Sequence, residues 1–131
     1  MLTLMSSRTG QRIASAVEVA VTRSARRRGL LGREALPPSS GMLLAPCSMI
    51  HTAFMRFPID VIFIDCEGEV TRVVRRLGSW RAAGSLQAYA TIELAAGALD
   101  GCDVAAGDRL YFEGFVEAGV DGLAAAGLAF R

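Results

Sequence analysis

The run Ile59-Asp60-Val61-Ile62-Phe63-Ile64 is apolar at both odd and even positions, with one exception, Asp60. Successive side chains of a strand point to opposite faces, so this run predicts a strand covered on both sides and central to its sheet. Pro58 cannot donate to a ladder and fits the strand's entrance. The turn sequence Asp65-Cys66-Glu67-Gly68 then leads into an apolar-rich stretch over 70–75, which predicts an antiparallel hairpin. Residues 87–94 alternate cleanly. Tyr89, Thr91 and Glu93 share one face, and Ala90, Ile92 and Leu94 share the other.

Weaker signals fill in the rest. A first strand is expected over 17–21, followed by Thr22 as a helix cap and a short basic helix over 23–31 ended by Gly32. Residues 36–41, with two prolines and a glycine, read as a loop, and 42–45 as a brief strand stopped by Pro46. A glycine-punctuated loop over 77–85 carries the single tryptophan. Residues 95–99 allow about one helical turn before the Asp100-Gly101 break. Ala106-Gly107-Asp108 turns into a last strand over 109–113. The tail, 114–131, is rich in Ala and Gly, and either a docked helix or a frayed end fits it. Many short strands and little helix predict a mostly β fold: a compact antiparallel β-sandwich or small barrel with one or two short helices. A doubly wound α/β fold is not expected, because no helical pattern of about 10–15 residues separates the strands.

At 131 residues the chain reads as one domain, 1–131. It is long enough to bury roughly 65–70% of its unfolded surface without metal or disulfides. A net charge of +1 offers no whole-protein attraction for nucleic acid or an anionic membrane. All basic residues are Arg, which genome composition explains more simply than guanidinium chemistry. Three cysteines, Cys47, Cys66 and Cys102, form neither an even set nor a C-x-x-C pair, pointing to a reducing compartment. With no signal-like N-terminal stretch and no apolar run of 18 residues, a cytoplasmic location is expected.

Several side chains carry candidate chemistry. Asp60 shares a face with Ile62 and Ile64, so its carboxylate points into poorly solvated surroundings and requires a partner. Arg56 is the nearest candidate. The pair is read either as an internal ion pair fixing the strand entrance or as an Arg with part of its fork free for an anionic ligand. Glu93 is expected on a solvated face. If its strand lies beside 59–64, Asp60 and Glu93 become paired carboxylates suited to acid/base work. His51, the sole histidine, fits a packing role better than a nucleophile pair with Cys47, for which no oxyanion hole is evident. The cysteine spacing does not support a metal site. Trp80 beside Arg81 suits stacking on a flat ligand, or plugging the open end of a barrel. Arg26-Arg27-Arg28 reads as a solvated helix face and not as a nucleic-acid patch. No glycine motif supports a nucleotide cofactor, and no cofactor is expected.

A series of short motifs resembles one family, the domain of unknown function 192, for which no reaction is established. Its landmarks run from about Glu18 to Phe112: Arg28-Gly29-Leu30-Leu31-Gly32-Arg33, Gly41-Met42-Leu43-Leu44, His51 through Asp65, Leu77 with Trp80-Arg81, Ile92-Glu93-Leu94 with Ala96-Gly97, and Val104 with Gly107-Asp108-Arg109. The resemblance implies a compact, mostly β domain. The chain departs from the family pattern at Leu31, Ser79, Ala95 and Arg56-Phe57, the last where many relatives carry Lys-Asn, so a mechanism needing an amine there is not implied. The leading reading is a binding module for a small anionic or polar ligand or a peptide. Its candidate ligand-binding residues are His51, Arg56, Asp60, Trp80, Arg81 and Glu93. An acid/base, hydrolase-like enzyme using Asp60 and Glu93 is the alternative, and a structural interaction domain without a ligand is the third reading.

Overall fold

The computed structural model describes residues 1–114; of the predicted tail, 114–131, all but Gly114 lies outside the described residues. Nine strands and one helix follow in order: β1 Leu2–Ser6, β2 Arg12–Ala20, α1 Arg23–Arg28, β3 Ser40–Leu44, β4 Met49–His51, β5 Ile59–Ile64, β6 Val70–Leu77, β7 Ala82–Gly84, β8 Ala90–Ala95 and β9 Leu110–Gly114. Seven strands form one sheet in the order β6-β5-β8-β3-β2-β1-β9, and β4 pairs with β7 in a second, two-stranded sheet. The large sheet curls into a half-barrel. Its two ends meet where Val70 N–H donates to Asp108 O at 2.7 Å and Leu110 N–H donates to Gly68 O at 2.9 Å.

The predicted central hairpin is present. All six residues of β5 are buried, and β5 pairs antiparallel with β6. Asp65 organises the turn by accepting from Glu67 N–H at 2.9 Å and Glu69 N–H at 3.0 Å. Gly68 is needed there twice over: its φ is +85°, and a Cβ would sit 2.6 Å from Leu110 O.

The Thr22 cap also holds, its Oγ1 accepting from Ala25 N–H at 3.1 Å. The helix ends sooner than expected, at Arg28, because Gly29 (φ 48°) terminates it before Gly32 is reached. One pairing departs from the antiparallel expectation. β2 and β3 run parallel, with α1 in the crossover between them. β1, β4 and β7 were not anticipated from the pattern.

Apolar side chains fill both faces of the large sheet. The inner face gathers residues from opposite ends of the sheet, among them Leu4, Leu43, Ile62, Ile92, Val70 and Phe112. The other face packs Leu44, Val61 and Phe63 under Leu30 and Leu36 of the crossover and under Ile50 and Ala83 of the small sheet. β8 sits between β5 and β3 and is buried along its whole length. It therefore carries Glu93 into the layer between the large sheet and its cover.

Candidate functional site

The strands bearing Asp60 and Glu93 do lie side by side, but the two carboxyls do not meet. In the β5–β8 register Asp60 opposes Leu94 and Val61 opposes Glu93. Directly opposed residues of an antiparallel pair share a face, so Asp60 points with Leu94 to the inner face and Glu93 points with Val61 to the outer one. The paired-carboxylate expectation is corrected on that geometry.

Asp60 is fully buried, and backbone groups supply its partners. Oδ1 accepts from Arg76 N–H at 2.8 Å, while Oδ2 accepts from Gly97 N–H at 3.1 Å and Leu99 N–H at 3.0 Å. The β5–β6 register shifts between Ile59 and Val61, and Arg76 has a φ of 52°. The carboxylate thus ties together an irregular strand pair and the turn after β8. Arg56 does not reach it. Past Pro58 the guanidinium turns out to solvent and forms an exposed ion pair with Glu34 at 3.5 Å. The internal Arg56–Asp60 pair is corrected likewise, because three N–H donors already satisfy the acid.

Glu93 has the opposite surroundings. It is 4% exposed, not on a solvated face as expected, and its Oε2 has no hydrogen-bond partner among the described residues. Burial pushes its carboxyl up to about 7. It lines a hollow of about 130 Å³ together with Leu44, Cys47, the end of α1 and the residues after it from Arg26 to Leu31, Met55, and Met49, Ile50 and His51 of β4. Arg26 pins α1 over this space by donating to Val21 O and Ala45 O. Cys47 Sγ donates to Met49 O at 3.3 Å. Arg27 and Arg28 are exposed, with no ion-pair partner among the described residues.

Of the six candidate residues, then, the structure brings His51 and Glu93 into one hollow and leaves Arg56, Asp60, Trp80 and Arg81 outside it. Trp80 does not plug the barrel. It is 66% exposed, and its ring lies against the 73%-exposed Phe54 with centroids 4.6 Å apart. Both residues have positive φ, 61° and 65°. Buried Thr52 clamps their two loops. Its Oγ1 donates to Gly78 O at 2.6 Å and accepts from Arg81 N–H at 2.9 Å, its N–H donates to Arg81 O at 2.8 Å, and its carbonyl accepts from Trp80 N–H at 3.1 Å. Arg81 borders a separate, open hollow with Arg75 and Arg76. Met49, Ile50, Phe54 and Met55 were not singled out from sequence; Phe54 and Met55 lie within the family motif but carry no chemistry of their own.

Among the described residues no group of three or more His, Cys, Asp and Glu side chains is placed to hold a metal ion. No described helix is long and apolar enough to cross a membrane.

A β half-barrel with a covered outer face and an acid beneath the cover defines the class. The chain belongs to the DUF192 family, described only as "Uncharacterized ACR", whose model matches residues 4–112. Two solved structures share the fold. One, from Sinorhizobium meliloti 1021 and described as a "putative transcription regulator", is 26% identical, with a TM-score of 0.73 over 85% of this chain and 91% of that one. The other, a protein of unknown function from Novosphingobium aromaticivorans DSM 12444, is 19% identical, with a TM-score of 0.70 over 83% and 81%. No curated protein matches the chain.

Proposed function

We propose that the protein is a binding module whose ligand presents a hydrogen-bond donor to Glu93 in the hollow between β8, α1 and β4. The observation that carries this reading is the buried Oε2 of Glu93, without a partner among the described residues. A buried polar atom left unsatisfied costs about 1–3 kcal/mol, so a site that retains one is explained by a partner that arrives from outside. The apolar walls, Leu30, Leu31, Leu44, Met49, Ile50 and Met55, suit the body of a ligand, and the exposed Arg27 and Arg28 suit an anionic end. A reducing, cytoplasmic setting belongs to the same reading and is supported by three free cysteines.

A thermal-shift screen of amino acids, short peptides, small amides, sugars, nucleotides and anions tests it. A true ligand at a hundred times its Kd stabilises by about 2.7 kcal/mol through mass action. The expected result is a hit whose shift disappears in Glu93→Met. Hits that stabilise wild type and variant alike, or no hit in any class, would overturn the reading.

The enzyme alternative survives only in a reduced form. Without Asp60 it rests on Glu93, whose carboxyl near 7 is matched to proton transfer at neutral pH, with Cys47 and His51 lining the same hollow. Turnover of ester or amide probes that follows a single ionisation near pH 7 and vanishes in Glu93→Met would favour it over simple binding.

A further inference from the structure

Among the described residues the small sheet has a free edge. Ser85 N–H donates to Ser48 O at 2.9 Å, and Thr52 N–H donates to Arg81 O at 2.8 Å. Ile50 opposes Ala83 midway between these bonds. Main-chain groups alternate sides along an antiparallel strand, so residues 48, 50 and 52 turn theirs toward β7. Met49 and His51 therefore direct their N–H and C=O groups away from β7. Among the described residues the Met49 carbonyl receives only the weak Cys47 thiol donor. Both residues also line the hollow above Glu93.

Exposed apolar side chains gather around the same sheet. Five large hydrophobics are exposed among the described residues, and all but Met1 are here: Met49 within β4, Phe54 and Trp80 on the loops just past the β4 and β7 ends, and Leu86 beyond the other end of β7. Such clustering marks an interaction surface, whereas scattered single residues would not. The hollow itself is small. Its roughly 130 Å³ is less than the ~300–1,000 Å³ of pockets that enclose a whole drug-sized ligand, so an occupant must continue outside it.

We infer that the occupant is an extended peptide segment of a partner protein, which adds as a strand to the free edge of β4 and lowers one donor-bearing side chain onto Glu93. This rests on the hollow being a ligand site and names the ligand's class. Main-chain bonds to Met49 and His51 supply the strand pairing, and the hollow reads one side chain. Side chains two residues away on the same face of the peptide fall toward the mouth of the hollow, where Arg27 and Arg28 select acidic residues. An uncharged donor such as a serine, threonine or amide side chain fits better in the hollow than an ammonium, which those arginines would repel. The peptide's continuation passes over the Phe54–Trp80 pair. The three-residue length of β4 limits indiscriminate edge pairing, leaving selection to the hollow.

The decisive variant is Met49→Pro. Its lost N–H points away from β7, so the β4–β7 ladder is retained while the docking edge loses a donor. A displayed library of random heptapeptides is selected against the full chain, and binders are measured by fluorescence anisotropy against wild type, Met49→Pro and Glu93→Met. The expected result is enrichment of a neutral donor flanked by acids at two-residue spacing. Affinity should fall at least tenfold in each variant, binding should be lost when the peptide's main chain is N-methylated, and exchange of the Met49 and His51 amides should slow on binding. Binders that ignore Met49→Pro, or a library without binders, overturn strand addition. In either case small-molecule stabilisation dependent on Glu93 would leave the hollow standing as a ligand site. A single-stranded oligonucleotide that binds with no dependence on either variant, and competes with the selected peptides, overturns the peptide assignment and gives the aromatic pair to base stacking.

Discussion

Asp60 and Glu93 lie one register step apart on neighbouring strands, are both buried, and have opposite environments. One carboxylate receives three main-chain N–H groups; the Oε2 of the other receives nothing from the described residues. Burial therefore does not separate a structural acid from a site, whereas hydrogen-bond satisfaction does. An acid whose two oxygens are both tied to main-chain N–H groups in a closed interior is committed to the fold, and its removal injures it. An unsatisfied one weakens the fold by staying, and its removal relieves it. The two positions should respond to substitution with opposite sign.

The largest effect is expected at Asp60. Asp60→Ala leaves the amides of Arg76, Gly97 and Leu99 without their acceptor in a closed interior, and each such loss costs about 1–3 kcal/mol. Partial relaxation of the turn brings the expected total to about 3–5 kcal/mol. Equilibrium urea unfolding measures it as a lower midpoint at unchanged m. A cost below about 1 kcal/mol would mean that water replaces the carboxylate, and the contrast with Glu93 would collapse.

Glu93 should behave in the reverse manner and with a pH signature. Its carboxyl stands at about 7 in the folded chain against 4.5 for an unperturbed glutamate. Between those values the folded state holds a proton that the unfolded chain has released. Stability therefore falls as pH rises from about 4.5 to 7, and the loss is complete above 7, at roughly 3 kcal/mol. Glu93→Met, similar in volume and apolar, removes the group responsible. It should raise the melting temperature at pH 8, change it little at pH 4.5, and flatten the profile between. A variant less stable than wild type at pH 8 would show that the acid has a partner after all.

Part of this contrast was legible beforehand. The apolar content of 59–64 on both faces announced a covered strand, and the single acid within it announced a satisfied one. Which groups satisfy Asp60 was not legible, because Arg76, Gly97 and Leu99 reach it only through a register shift and a distant turn. For Glu93 the shared face with Thr91 was read correctly and its solvation wrongly. Thr91 signals a buried polar layer, its hydroxyl donating to Cys47 O at 2.9 Å. The cover over that layer comes from α1 and β4, and a three-residue strand such as β4 carries too little pattern to be seen. The parallel β2–β3 pair was hidden for a related reason: a six-residue helix gives little periodicity to mark a crossover.

The smallest effect sharpens the Asp60 side of the comparison. If Arg56 partnered Asp60, both single substitutions would be severe and their energies would couple. In the structure Arg56 pairs instead with Glu34 at 3.5 Å, and their side chains are 63% and 86% exposed. Exposed pairs of this kind contribute at most about 1 kcal/mol, and many contribute nothing measurable. Arg56→Ala should therefore change stability by no more than about 0.5 kcal/mol. The double variant with Asp60→Ala should equal the sum of the singles within about 0.5 kcal/mol. The loss expected for Asp60→Ala is a large share of the ~5–15 kcal/mol that holds a typical domain folded, so the cycle is best measured at 10 °C with a stabilising osmolyte, the same conditions applying to all four proteins. Coupling above about 1 kcal/mol would mean that the guanidinium senses the buried carboxylate, and Asp60 would then have to be treated as an ion-pair partner with capacity beyond its three amides.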